Sequence, residues 1–184
     1  MSTDLRTIDD ATLDGLTEGG DDAGPTAVQR LGLLLAWSKL EPDRTGEVIL
    51  IPPGPVMIVG RGGVQLATGE LTGLPTRQRP GVNETRGPLA DPTISRKQLA
   101  VTVLSPDTLH IRNVGRCPLF IDGRAQEQGE VRPGSILRLG KRLLFLCVRR
   151  PSHFSAAPSW PADATPLFGL PDANGIVGES PVLW

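Results

Sequence analysis

The sequence of 184 residues has few aromatic, cysteine and histidine residues, and each shortage argues against a class of function. Tyrosine is absent and aromatic residues make up only 4% of the chain, so the base-stacking surfaces used in nucleic-acid binding are scarce. Two histidines are too few to indicate a metal site. The two cysteines, Cys117 and Cys147, lie in apolar surroundings without a paired spacing, which predicts reduced core thiols.

Catalytic patterns and membrane segments are also missing from the sequence. There is no Ser/His/Asp pattern, no metal cluster and no complete phosphate-binding loop, so we expect neither an enzyme nor a bound cofactor. The longest apolar run, at residues 31–37, is far too short to cross a bilayer. The N-terminus does not have the basic region and apolar stretch of a signal peptide. These features predict a cytoplasmic protein without a membrane partner.

The charge is distributed unevenly, although the net charge is only −1. Residues 1–28 hold seven acids and one arginine, a net charge of −6. Residues 29–150 carry 18 bases against 10 acids, or +8, and residues 151–184 carry three acids and no base. A basic middle between acidic ends predicts an anionic partner, which this pattern alone leaves open between a phosphopeptide and a nucleic acid.

Short β-type runs separated by turn signals fill the basic middle of the chain and predict an all-β fold. Asp122-Gly123 and Gly140-Lys141 lie between such runs and predict hairpin turns. Residues 65–94 are rich in Gly, Pro, Thr and Arg and predict a long loop that is functional or mobile. The predicted strands are residues 31–37, 47–51, 56–59, 99–104, 109–113, 119–121, 136–139 and 143–148.

Four short motifs occur in a fixed order at the ends of predicted strands. They are Gly60-Arg61, Ser95-Arg96-Lys97-Gln98, Asn113-Val114-Gly115 and Asp122-Gly123. This order resembles the forkhead-associated (FHA) domain. The resemblance implies an FHA-type β-sandwich of two twisted, mainly antiparallel sheets, and it implies that the domain binds phosphothreonine peptides. The composition of the two chain ends predicts disordered or irregular tails.

The residue chemistry fits that function. A phosphothreonine carries about −1.5 to −2 charges and three acceptor oxygens. Arg61 offers a planar fork of donors that can bind two of those oxygens, and Ser95 adds a hydroxyl and a backbone N–H. Arg96 and Arg116 add positive charge, so these four residues are the predicted phosphopeptide-binding set.

Each of the four residues also has a structural alternative. Arg61 has the alternative of a surface arginine at the end of a strand, and Ser95 has that of a hydroxyl that makes a local turn bond. Arg96 has the alternative of a structural salt bridge. For Arg116, simple solvation is the alternative.

Two positions depart from the family pattern. Gln98 stands where the family usually has a histidine that braces the binding loops, and glutamine can also form hydrogen bonds. Pro118 lies where the family's Asn-Gly normally holds the peptide backbone, and it has neither an N–H nor a polar side-chain group. Arg77, Arg79 and Arg86, from residues 65–94, are candidates to replace part of that contact.

The C-terminal residues give a second resemblance. Residues 174–181 are similar to the opening of the ATPase domain in bacterial sigma-54-dependent transcription activators. The predicted organisation is an acidic flexible segment at 1–28, an FHA domain at 29–150, a Pro/Ala-rich linker at 151–173 and the first residues of a truncated ATPase domain at 174–184.

The predicted function is a phosphothreonine-binding regulatory module that couples Ser/Thr kinase signalling to sigma-54-dependent transcription. Its expected partners are a phosphothreonine protein or peptide and its own downstream ATPase domain. The first alternative is an FHA-like domain that binds a protein without phosphate. The second is nucleic-acid binding by the basic core, which lacks a helix-turn-helix pattern.

Overall fold

The computed structural model describes residues 28–79 and 81–154, and they form a β-sandwich. Two mainly antiparallel sheets make up the fold, which confirms the predicted all-β class. The described residues contain thirteen strands and one 3-10 turn, η1 at Pro42–Arg44. The strands are β1 Gln29–Ser38, β2 Val48–Leu50, β3 Val56–Val59, β4 Glu70–Thr72, β5 Thr76–Arg79, β6 Val82–Thr85, β7 Leu99–Ser105, β8 Thr108–Asn113, β9 Leu119–Ile121, β10 Arg124–Ala125, β11 Gln128–Val131, β12 Ile136–Leu139 and β13 Leu143–Pro151.

The two sheets differ in size. Sheet 1 has eight strands in the order β10-β9-β12-β13-β1-β2-β5-β6, and sheet 2 has five in the order β11-β8-β7-β3-β4. The long antiparallel pair of β1 and β13 lies at the centre of sheet 1. Only the pair of β3 and β4 is parallel among the paired strands of the described residues. The loops that form the candidate site lie at the ends of β3, β7 and β8.

Alternate residues of the central strands point into the core between the sheets. On β13 these are Leu143, Phe145 and Cys147, each completely buried. On β1 they include Leu33 and Leu35. Both cysteines are free thiols, as predicted, and burial raises the pKa of the Cys147 thiol to about 11.

Two predicted hairpin turns are present. Asp122 and Gly123 have φ values of 48° and 82°, the positive angles that a type I′ turn requires. Asp122 also accepts a hydrogen bond through Oδ1 from the Ile136 N–H at 2.8 Å, which ties this turn to β12. Gly140, with a φ of 52°, begins the connection from β12 to β13.

The prediction of a long loop at residues 65–94 is wrong, because this stretch contains β4, β5 and β6. Strand β4 extends sheet 2 beside β3, and β5 and β6 extend sheet 1 beside β2. Strands β4 and β6 lie at sheet edges and are mainly exposed, whereas Arg77 and Gln78 on β5 are buried. The stretch is therefore an ordered extension of both sheets.

A buried ion-pair cluster joins η1 to the extension. Arg44 is only 5% exposed, and its guanidinium contacts Glu41 and Glu47, each at 2.9 Å. The same guanidinium donates to the carbonyl of Pro88 at 3.0 Å and to that of Gly87 at 2.8 Å. Arg44 thus fixes the chain between β6 and β7 against the start of β2.

The ends of the described chain lie beside each other. The Ser152 N–H donates to the Val28 carbonyl at 2.8 Å, and the Gln78 side chain donates to the Pro151 carbonyl at 2.9 Å. The Phe154 carbonyl accepts from the Gly81 N–H at 2.9 Å, so residues 151–154 run from β13 towards β5 and β6. The predicted tails at 1–27 and 155–184, including most of the linker and all of 174–184, lie outside the described residues.

Within the described ranges, no helix has the length and apolar character needed to span a membrane. The same residues contain no group of three or more His, Cys, Asp or Glu side chains placed to hold a metal ion.

Candidate anion-binding site

The loops after β3 and before β7 approach each other closely at Gly60. A Cβ atom on Gly60 would lie 2.5 Å from the Arg96 carbonyl oxygen and 2.6 Å from that of Ser95, so only glycine fits at this position. The Arg61 N–H donates to the Ser95 carbonyl at 3.0 Å, and the Gly62 N–H donates to the Arg96 carbonyl at 3.0 Å. This short ladder places the Arg61 side chain beside Ser95.

The structure brings the four predicted site residues into one open depression. It has a volume of ≈ 470 Å³, and no acidic side chain lines it. The lining residues are Arg61, Pro92, Thr93, Ile94, Ser95, Arg96 and Arg116.

Three guanidinium groups in this depression are exposed and have no carboxylate partner among the described residues. Arg61 makes one side-chain hydrogen bond, from Nε to the Ile94 carbonyl at 3.4 Å, which leaves both terminal amino groups free of partners in this part of the chain. Arg96 and Arg116 form no salt bridge within the described residues. Positive charge that is concentrated in this way and not neutralised favours an anionic ligand.

Ser95 is oriented by the loop that carries Arg116. The Ser95 Oγ accepts a hydrogen bond from the Arg116 backbone N–H at 2.9 Å, which leaves the hydroxyl proton available to a ligand. The Ser95 backbone N–H was expected to contact the ligand, but it donates instead to Oε1 of Gln98 at 3.1 Å. Ser95 therefore offers one donor, its hydroxyl.

Gln98 links the three loops that form the site. It is completely buried, and its Oε1 accepts from the backbone N–H of Ser95 and, at 3.4 Å, from that of Cys117. Its Nε2 donates to the Asn113 side-chain oxygen at 2.7 Å and to the Cys117 carbonyl at 2.8 Å. Gln98 thus performs the bracing that the sequence resemblance assigns to this position.

Gly115 packs directly on this brace. A Cβ atom there would lie 2.5 Å from the Gln98 Oε1 and 2.7 Å from the Ser95 Cβ. The Asn113 amide points inward, with Nδ2 donating to the Cys117 carbonyl at 3.2 Å. Pro118 is exposed outside the depression, and its carbonyl accepts from the Gly140 N–H at 2.8 Å. Asn113 and Pro118 therefore offer no side-chain amide to a ligand.

Asp91 opens the Asp-Pro-x-x-Ser-Arg run at residues 91–96 and shapes the turn before Ser95, a role that the sequence motif did not assign to it. Asp91 is completely buried, and its Oδ1 accepts from the Thr93 N–H at 2.8 Å and from the Thr93 hydroxyl at 2.6 Å. Its carbonyl accepts from the Ile94 N–H at 3.0 Å. An Asp-Pro pair directly before a hydroxyl residue is a local turn signal that could have indicated this role.

The three arginines proposed to replace the peptide contact have other roles. Arg77 and Arg86 both approach the buried carboxylate of Glu47, at 3.7 Å and 3.4 Å, and Arg79 pairs with Glu84 at 3.6 Å. None of the three lines the depression. That prediction is wrong, because buried and edge carboxylates of the same region bind these side chains.

Two ionisable groups beside the site are held in one protonation state. The hydrogen bond from Lys97 at 2.5 Å, with that from the Ala67 N–H, lowers the pKa of Glu70. Lys97 is thereby directed away from the depression and towards β4. Burial is the main reason that the pKa of the Cys117 thiol is raised, and the thiol therefore stays protonated.

We expect Gln98→Leu to lower the free energy of unfolding by about 2–3 kcal/mol, because it leaves several buried polar groups without partners. Gln78→Leu is the matched control, since Gln78 is also buried but its side chain donates one hydrogen bond, to Pro151 near the end of the described chain. Gln78→Leu should lower the free energy of unfolding by about 1 kcal/mol. Urea denaturation measures both values, and equal losses would contradict the bracing role of Gln98.

No protein-family model matches the chain, and no curated protein matches it significantly. Solved structures do match it, and several of them are FHA domains. The FHA domain of a Chlamydia trachomatis protein is 20% identical over 65% of this chain and 96% of its own, with a TM-score of 0.45. The FHA domain of an Arabidopsis thaliana protein is 18% identical over 78% of this chain and 100% of its own, with a TM-score of 0.43.

A yeast FHA domain in complex with a doubly phosphorylated (pT) peptide is 14% identical over 89% of this chain and 96% of its own, with a TM-score of 0.42. TM-scores below 0.5 say nothing about the details of a site. The function is therefore inferred from the residues of this chain.

Proposed function

We propose that the domain is of the FHA type and binds a phosphothreonine peptide through Arg61, Ser95, Arg96 and Arg116. One observation supports this most strongly: three arginines without carboxylate partners among the described residues share a single depression with one correctly oriented hydroxyl. The phosphate group has the charge and the acceptor oxygens that these donors require.

Each residue has a distinct part in the proposed binding. The terminal amino groups of Arg61 bind two phosphate oxygens together, because the guanidinium fork matches their spacing. The hydroxyl of Ser95 donates to the third oxygen. Arg96, which follows Ser95 in the same loop, and Arg116, on the loop after β8, add positive charge to the depression.

The depression fits one phosphate group better than a nucleic-acid backbone. No aromatic residue lines it, so bases would find no stacking surface. The Asn113 side chain points inward and Pro118 lies outside the depression, so neither residue offers a side-chain amide to the backbone of a bound peptide. We therefore infer that the phosphate supplies most of the affinity, and that the domain is a binding module rather than an enzyme.

The wider role rests on the sequence alone. Residues 174–181, which resemble the opening of a sigma-54 activator ATPase domain, support a cytoplasmic regulator of bacterial transcription under Ser/Thr kinase control. In that role the downstream ATPase domain is a second partner of this chain.

Titration with peptides tests the proposal. A peptide mixture with a central phosphothreonine and randomised flanks is compared with its unphosphorylated counterpart by fluorescence anisotropy. We expect saturable binding of the phosphorylated mixture only. Equal binding of the two mixtures would instead establish the alternative, a phosphate-independent interaction domain, and no binding of either would reject both.

A further inference from the structure

The outer face of sheet 1 is apolar, which is unusual for a sandwich of two sheets. An antiparallel sheet with one face in water normally alternates apolar and polar residues. Strands β1 and β13 break this rule, because apolar side chains follow one another on both faces. The outward residues of β13 are Leu144, Leu146 and Val148, each half-buried.

Strand register arranges these side chains in two rows. Leu34, Leu146 and Ile136 lie opposite one another across β1, β13 and β12. Trp37 lies opposite Leu144 in the next row. Trp37 is 46% exposed and Ile136 is 44% exposed, so the rows reach solvent. We call this surface, formed by the outward residues of β1, β12 and β13, the apolar face.

The outer face of sheet 2 provides an internal comparison. Its outward positions on β7, β8 and β11 are mainly polar or charged, as a solvated face should be. They include Thr102, His110, Arg112, Gln128 and Glu130. The apolar face is therefore a local feature of sheet 1, and an exposed apolar surface of this kind is typical of an interface.

Positive charge borders the apolar face. Arg30 and Arg150 lie opposite each other at one end of the rows. At the other end the Arg138 guanidinium stacks on the Phe120 ring at 3.8 Å. Strands β1, β2, β9, β12 and β13 contain no acidic residue, so these arginines have no carboxylate on their own strands. The surface fits an occupant that is both apolar and acidic.

We propose that residues 1–27 of the same chain bind the apolar face. They carry seven acids and one arginine, with Leu5, Ile8, Leu13 and Leu16 spaced between the acids. They join the described chain at Val28, directly before β1, so they are present at high effective concentration. A second copy of the basic face would be repelled, and residues 151–154 lead the C-terminal chain towards β5 and β6. The proposal is independent of the phosphopeptide site.

Zero-length carbodiimide cross-linking of the full chain tests this proposal. Arg138→Lys places an amine on the apolar face, and Arg112→Lys places one on the outer face of sheet 2 as the matched control. Mass spectrometry identifies the carboxylate joined to each lysine. We expect residue 138 to cross-link with acids 4–22 on the order of tenfold more than residue 112 does.

A further variant separates docking from simple charge attraction. Ile8, Leu13 and Leu16 are replaced by serine in the Arg138→Lys chain, and the cross-link yield should fall to the control level. An unchanged yield would overturn the proposal, since charge alone would then explain it. Cross-links from residue 138 to Asp163, Asp172 or Glu179 would overturn it in favour of the C-terminal chain. Cross-links between isotopically mixed copies would overturn it in favour of a dimer.

Discussion

Replacing Arg61 with alanine is expected to weaken phosphothreonine-peptide binding by at least about 100-fold, the largest effect of any single substitution in the depression. Two charge-assisted hydrogen bonds are lost, each contributing about 1.5–3 kcal/mol, and 1.4 kcal/mol corresponds to a tenfold change. Arg61→Lys keeps the charge but not the planar fork, so we expect an intermediate loss of about tenfold. Fluorescence anisotropy with the phosphorylated peptide mixture measures both.

Arg112→Ala is the matched control for Arg61→Ala. Arg112 is an exposed arginine on the outer face of sheet 2, and its removal lowers the net charge equally. The affinity of Arg112→Ala should remain within about twofold of that of the unmodified chain, because Arg112 does not line the depression and salt screens an exposed charge. Equal losses from the two variants would show that overall charge, and not a phosphate-binding geometry, explains the affinity.

Replacing Arg44 with methionine is expected to lower the free energy of unfolding by about 3–5 kcal/mol. The substitution leaves the buried carboxylate of Glu47 without its closest cation, and the carbonyls of Gly87 and Pro88 lose their donor. Removing one partner of a buried ion pair lowers stability by this amount because the other partner's charge stays buried without compensation. Methionine has a similar volume, so only a small part of the loss arises from a cavity.

Urea denaturation with Arg132→Met as the control measures this effect. Arg132 is exposed and makes no side-chain ion pair among the described residues. Arg132→Met should therefore change the free energy of unfolding by less than about 0.5 kcal/mol. A loss below about 1 kcal/mol for Arg44→Met would mean that Arg77 and Arg86 alone stabilise Glu47. Pro88 also contacts Gly62, next to Arg61, so a small fall in phosphopeptide affinity should accompany the instability.

The strands could be predicted where apolar runs end at turn residues. Val56–Val59 and Leu119–Ile121 coincide with their predicted ranges, because Pro, Gly and Asp bound each run. Strands β5 and β6 could not be predicted in this way, since Thr76–Arg79 and Val82–Thr85 show no clear apolar alternation. Cross-strand pairing stabilises them, and such pairs are formed only in the folded chain.

The site was predictable in its residues but not in its hydrogen bonds. Arg61 and Ser95 were found through motif order, although more than thirty residues separate them. The partners of the Ser95 N–H and of the Gln98 amide depend on how three distant loops meet, which no local pattern records. Arg44 is similar: Glu41 and Glu47 are close in sequence, but its carbonyl acceptors lie 43 and 44 residues away.

The glutamine at position 98 also bears on how the site responds to acid. Histidine, the usual residue there in FHA domains, changes its charge near pH 6.5, whereas an amide has no proton to gain or lose in this range. A loss of binding as the phosphate loses its second charge below about pH 6 would therefore contain no contribution from titration at residue 98.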